Sequence, residues 1–135
     1  MLLHADDVRQ EDMELLPTFM RDVARLCGLE AACCLAAQLG GLDFPVPKGA
    51  ANNRAGMRRF AVLAGAMGEE AARIFCREYG GERVFVPFCR AVLRRIRDRA
   101  IVREFDAGAT VGDLVLRHKL SYRQIEKILK RPIAL

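Results

Sequence analysis

The chain has 135 residues, of which 52% are hydrophobic and 29% charged, which suits one compact unit or two small ones sharing a core and places it among ordinary globular proteins. No run is long and apolar enough to span a bilayer, and the opening MLLHADD lacks the basic start and sustained apolar segment of a secretion signal, so a cytoplasmic protein with no membrane partner is expected. The net charge of +5 is unevenly placed: residues 1–81 hold 9 basic and 11 acidic side chains, residues 82–135 hold 13 and 6, and the basic end is the candidate for meeting a polyanion.

Along the chain, the first organised feature is an internal repeat. GLEAACCLAAQLGGLDFPVP at 28–47 aligns without gaps on GEEAARIFCREYGGERVFVP at 68–87, an offset of 40 residues. Gly28 meets Gly68, Glu30 meets Glu70, Gly40-Gly41 meets Gly80-Gly81, and Pro47 meets Pro87. Two copies point to duplication and not to a solenoid. Each copy predicts a helix, a glycine break, a second helix, a double glycine turn and a short extended run closed by proline. In the first copy Pro45 has no N–H to give a ladder, so Asp43 to Val46 is an edge strand or merely extended. KGAANNRAGM, 48–57, predicts the loop joining the copies. In the second copy Glu69 and Glu70 open a helix as acids that favour its positive end, and Arg83 to Val86 predicts a strand.

Cys27, Cys33, Cys34, Cys76 and Cys89 are odd in number and contain no CxxC pair, which predicts buried, reduced thiols acting as small apolar residues. His4 and His118 have no second ligand at helical spacing, so no metal or other cofactor is expected. There is no phosphate-cradling GxxxxGK[ST], no HExxH, and no Ser or Cys with a base at hand, which argues against an enzyme.

From about Phe88 to Asp106, Val92, Ile96, Ala100 or Ile101, and Phe105 recur near a helical period, and Ala107-Gly108 stops them. Thr110 stands three before Asp113 at capping-box spacing and opens a short helix. Lys119 and Leu120 make a turn with Leu120 tucked inside. Ser121, three before Gln124, caps a last helix from Tyr122. Ile125, Ile128 and Leu129 form its apolar face, and Arg123, Lys127 and Lys130 a basic one. Glu126 is the only acid after Ser121, so paired surface charge explains the stripe poorly. Two short helices behind a longer one make a helix-turn-helix. The fold class is therefore mainly α: a duplicated helix-helix-strand dimerisation part over 1–89 with short strands, and a helix-turn-helix DNA-binding domain over 90–135.

GGERVFVP followed by RRIRDRAIVREFDAGATVGDLVLRHKLSYRQIEKILKRP resembles the Mor/C family of phage Mu-type middle and late transcription activators, with coverage from about Ala72 to Pro132. Family membership implies a dimeric DNA-binding protein that recruits host RNA polymerase. It also implies that Gly80 and Gly81 form a flexible turn and that Arg83 is the strand residue facing the minor groove. Phe85 and Phe88 depart from the family pattern, where a tyrosine and a basic residue are usual.

An exposed helix fits the major groove, where Arg can bond guanine and Gln adenine. Arg123, Gln124 and Lys127 are the expected base readers. Ser121, Tyr122, Lys130, Arg131, Arg94 and Arg95 are the expected phosphate contacts, with Arg97 and Arg99 also considered for phosphates and some arginines pairing with Asp98 and Glu104. Tyr122 fits core or surface equally. Two or three base contacts at ~1–3 kcal/mol each give one head ~2–9 kcal/mol, against ~4–10 kcal/mol needed for specificity. A homodimer follows, joined through apolar helices such as FMRDVARLCGLEAACCLAAQL. The partner of the strand at Val84 to Val86 is left open between a second subunit and Asp43 to Val46. The expected function is a sequence-specific regulator, an activator of phage or prophage-type promoters. A helical protein–protein module, or a repressor or accessory factor of similar build, are the alternatives.

Overall fold

A computed structural model describes residues 2–50 and 53–131; Ala51 and Asn52 of the predicted joining loop, and Pro132, lie outside them. The chain is mainly helical with one two-stranded sheet, and it divides into two compact units, Met1–Val92 and Leu93–Leu135. No described helix is long and apolar enough to cross a membrane.

In the first unit two short 3-10 helices, Ala5–Asp7 and Gln10–Leu15, precede α1 (Thr18–Cys27), α2 (Leu29–Leu39), β1 (Asp43–Pro45), α3 (Arg54–Met67), α4 (Glu69–Tyr79) and β2 (Arg83–Phe85). The repeat in sequence is a repeat in backbone. Gly28 joins α1 to α2 at φ 96, ψ 152, and Gly68 joins α3 to α4 at φ 94, ψ 152. This conformation strains any residue with a Cβ, which accounts for the glycine at both places. Each glycine ends one helix and begins the next. The Gly28 N–H donates to the Ala24 carbonyl while its own carbonyl accepts from Ala32; Gly68 does the same between Ala64 and Ala72.

The strand partner lies in the same chain. β1 and β2 pair antiparallel, with Phe44 opposite Val84, Asp43 opposite Phe85 and Pro45 opposite Arg83. Flanking bonds come in mirrored pairs. The Gly41 N–H donates to the Val86 carbonyl at 2.6 Å and the Gly81 N–H to the Val46 carbonyl at 2.9 Å. Val86 donates to Leu42 at 2.9 Å and Val46 to Glu82 at 2.8 Å. An offset of 40 residues converts each bond into its counterpart, so the two copies are related by a local twofold. Pro45, at the end of β1, removes no ladder bond that the pair needs.

The helices close the core the same way. α1 packs on α2 and α4, α2 on α3, and α3 on α4. Met20, Val23, Leu35, Leu63 and Phe75 are sealed between them. Each such side chain stabilises by ~1.5–3 kcal/mol relative to exposure. Phe19 adds an edge contact to Phe75 at 6.3 Å and a tilted one to Tyr79 at 5.3 Å. The apolar faces of α1 and α2, expected to meet a second chain, are thus buried within their own. Both chemical signals were correct for burial; the covering surface is internal.

α5 (Arg90–Asp106) begins two residues later than expected, because Cys89 turns at φ 61 and Phe88 lies against Gly40 and Gly41. Leu93–Asp106 of α5, with α6 (Val111–His118) and α7 (Tyr122–Lys130), forms the second unit. Ile101, Leu114, Ile125 and Ile128 are its buried centre, with Val102, Leu120 and Leu129 against them. Phe105 departs from the predicted stripe and is 43% exposed. The chain turns back through Gly108 at φ 109, and Val102 packs against the core while the Phe105 side of the last turn of α5 faces outward.

Candidate nucleic-acid interface

α6 and α7 are set by their caps. The Thr110 hydroxyl accepts from the Asp113 N–H at 3.1 Å, and the Asp113 carboxylate accepts from the Thr110 N–H at 3.0 Å. The bond from the Thr110 backbone N–H, with the Thr110 side chain beside it, holds the Asp113 carboxyl below the usual carboxylate range. Ser121 and Gln124 repeat the arrangement at the start of α7, at 3.1 and 2.9 Å. Between them Lys119 adopts the left-handed conformation, φ 55, ψ 45, and reverses the chain in three residues.

Burial then decides which face of α7 is available. Ile125 and Ile128 are inside, which turns Arg123, Gln124, Glu126, Lys127 and Lys130 outward; Ser121, Tyr122 and Arg131 are exposed as well. Tyr122 is 59% exposed and lies outside the core, its hydroxyl 3.2 Å from where a methyl group on Gly112 would stand, at the start of α6. Arg123, Lys127 and Lys130 have no ion-pair partner among the described residues.

α5 supplies the facing wall. A cleft of about 300 Å³ is lined by Arg94, Arg97, Asp98, Gln124, Lys127, Ile128 and Arg131. Arg94 is exposed, with no ion pair among the described residues, and Arg95 is half-buried. Asp98, 8% exposed, bonds the Arg97 guanidinium at 2.9 and 3.1 Å and stands 4.0 Å from Arg131. It therefore restrains two of the cations at the cleft. Arg99 is 3% exposed, so of the four α5 arginines weighed for phosphates it is withdrawn from any ligand. Glu104 accepts from or pairs with His118 at 2.6 Å and Arg117 at 3.5 Å, which fastens the end of α6 to α5. The helix period alone could not assign Arg99 inward, because Asp98 and Arg99 form a polar pair of positions on an otherwise apolar arc.

The strand residues belong to the first unit. Gly81 is left-handed at φ 87, and Arg83 and Phe85 point to the exposed side of β2. A methyl on Gly80 would stand 2.3 Å from the Cys76 carbonyl, so its place in the turn is fixed by close approach. All five cysteines are free thiols. Burial pushes Cys33 and Cys89 each up to about 11, with the Cys89 and Cys34 sulfurs adding to the shift at Cys33.

Compared with known proteins, residues 56–134, more than half of the chain, match the family model described as the Mor transcription activator family. No curated protein and no solved structure matches.

Proposed function

This chain belongs to the Mor transcription activator family, and on that premise we propose that it binds double-stranded DNA in a sequence-specific manner and activates phage or prophage-type promoters. One observation carries the reading: α7 buries Ile125 and Ile128 while presenting Arg123, Lys127 and Lys130 outward without carboxylate partners among the described residues. Glu126 is the one acid on this exposed side of α7, against three cations, and that excess of positive charge fits a polyanion.

In this reading α6 and α7 form a helix-turn-helix with α7 in the major groove. Arg123, Gln124 and Lys127 read base edges, and Ser121, Tyr122, Lys130, Arg131, Arg94 and Arg95 meet the backbone. Gly80, Gly81 and Arg83 supply the minor-groove contact of the strand. The protein works in the cytoplasm, on DNA, with host RNA polymerase as its protein partner.

One such head yields ~2–9 kcal/mol of discrimination, short of or barely within the ~4–10 kcal/mol of a specific regulator. Two chains on a symmetric site remove the shortfall, so the species on DNA is a homodimer. The facing edges of β1 and β2 and the buried sides of α1 and α2 are engaged inside each chain, so a second chain meets what they leave exposed.

Selection of sites from random duplexes at two ionic strengths tests the whole reading. With about six phosphates neutralised, log K should fall against log salt with a slope near −5. A chain that ignores duplex DNA altogether would point to the protein–protein alternative, which the 80% exposure of Leu116 on α6 favours.

A further inference from the structure

A second basic site lies on the first unit. A cavity of about 290 Å³ is lined by Lys48, Asn53, Arg59, Glu82 and Arg83 among others, and Glu82 is the lone carboxylate among its lining residues. Lys48, Arg59 and Arg83 are exposed and have no ion pair among the described residues.

The duplicated backbone provides an internal control for the meaning of those cations. At an offset of 40 residues the counterparts of Lys48, Arg59 and Arg83 are Phe88, Phe19 and Asp43. Both halves share the same turn, with Gly41 and Gly81 each at φ 87. On one side the Phe88 ring occupies the space over Gly41, where an added methyl would stand 2.2 Å from a ring carbon. On the other only the Lys48 stem lies over Gly81, at 3.4 Å. Phe19 is engaged with Phe75 and Tyr79, whereas Arg59 reaches solvent. Three equivalent places thus carry +3 in one half and −1 in the other on an almost unchanged backbone. The fold is satisfied without the cations, so their purpose lies outside it.

α3 sharpens the contrast. It starts beside this cavity from an Asn53 cap, with Arg54 as first residue, Arg58 and Arg59 following, and no acid in its first turn. Of these only Arg54 stands in the first turn, where the helix dipole disfavours a cation that no anion joins; Arg58 and Arg59 add their charge one turn on.

We propose that Lys48 and Arg59, beside the minor-groove residue Arg83, form a second phosphate-binding surface, which holds the backbone of duplex DNA and is completed by Lys48, the residue that follows the amino-terminal copy. The proposal rests on the DNA-binding reading above and extends it to Arg59 of α3 and to Lys48, which lies outside the matched span 56–134. The cations are exposed and drawn from three segments, which suits a polyanion running past them better than an enclosed small anion.

The test is the full chain with Lys48→Ala and Arg59→Ala combined, titrated with a selected and a scrambled duplex over a salt series, alongside Arg77→Ala as an exposed control and Lys130→Ala. Losing two phosphate contacts should make the salt slope shallower by about 1.8 and weaken both duplexes equally, with Arg77→Ala at the parent value. Circular dichroism melting of the double variant should match the parent. An unchanged slope in the double variant beside a reduced one in Lys130→Ala would overturn this surface alone. No duplex binding by the parent chain would overturn the surface together with the reading beneath it. Saturable binding of inorganic phosphate that competes with duplex only in the parent would assign a small-anion site and refute the DNA-backbone assignment.

Discussion

Ser121 and Gln124 bond each other twice: the Gln124 side-chain oxygen accepts from the Ser121 N–H at 2.9 Å, and the Ser121 hydroxyl accepts from the Gln124 N–H at 3.1 Å. The amide oxygen of Gln124 thus spends one of its two lone pairs on the cap, and its NH2 remains free. Adenine recognition needs both an acceptor for N6 and a donor for N7. While the box is closed the reach-back bond fixes the orientation of the amide, and its NH2 is the group free to turn to a purine N7 or to guanine O6. Gln124→Glu keeps the reach-back bond and adds a charge that suits the helix start, yet removes the donor. The expected result is an unchanged or higher melting temperature with weakened DNA binding. Ser121→Ala should lose ~1 kcal/mol of stability. Full affinity in the Gln124→Glu protein would take that residue out of the interface.

Arg123 and Lys130 separate the two kinds of contact. Arg123→Ala should relax preference at one or two positions of the selected site by ~1–3 kcal/mol, as read by competition among single-base variants. Lys130→Ala should weaken every duplex alike and make the salt slope shallower by about 0.9. Equal losses on all duplexes for both variants would remove base reading from Arg123.

Gly41 and Gly81 share φ 87 but not their surroundings. Alanine at Gly81 meets only the flexible Lys48 stem and should cost ~1–2 kcal/mol from backbone strain. Alanine at Gly41 collides with the Phe88 ring and should cost a further ~1–3 kcal/mol. Urea unfolding of Gly41→Ala, with and without Phe88→Ala, reads the difference; the second substitution should return part of it.

Cys33 and Cys89 set an alkaline limit. Their folded values lie at about 11, above the ordinary 9.0. The unfolded chain therefore loses these protons first as pH rises. Their contribution to stability is complete below pH 9 and disappears as pH climbs through 11. Urea midpoints of the reduced protein should fall across that window, and fall less in Cys33→Ala. A flat profile would place these thiols in water.

The closed strand pair bears on assembly. Light scattering should find the free chain monomeric at micromolar concentration, and two chains on one symmetric duplex. A stable dimer without DNA would require a surface beyond the mirrored helices; one chain on a symmetric site would refute the homodimer.

Much of this was legible in residue order because glycine, proline and cap residues act locally. The 40-residue offset, the Thr110 and Ser121 caps and the inward Ile125 and Ile128 all follow from neighbours within a turn or two. What resisted was choice of partner. β-favouring side chains at Arg83 to Phe85 specify an extended run, while the surface it pairs with depends on a loop closure between β1 and β2. Phe105 and Arg99 resisted for a related reason: a helical period says which residues share a face, and only the packing of α6 and α7 says how far that face stays covered. Gln124 was legible in each of two roles, and geometry adds that the cap bond fixes the orientation in which its amide faces outward.

The mirrored bonds of Gly41 with Val86 and Gly81 with Val46 carry a genetic consequence. When identical subunits make such a module, every mutation lands twice and symmetry is compulsory. Tethering both halves in one polypeptide releases each to drift separately, and Lys48 standing where its twin is Phe88 is the trace of that freedom.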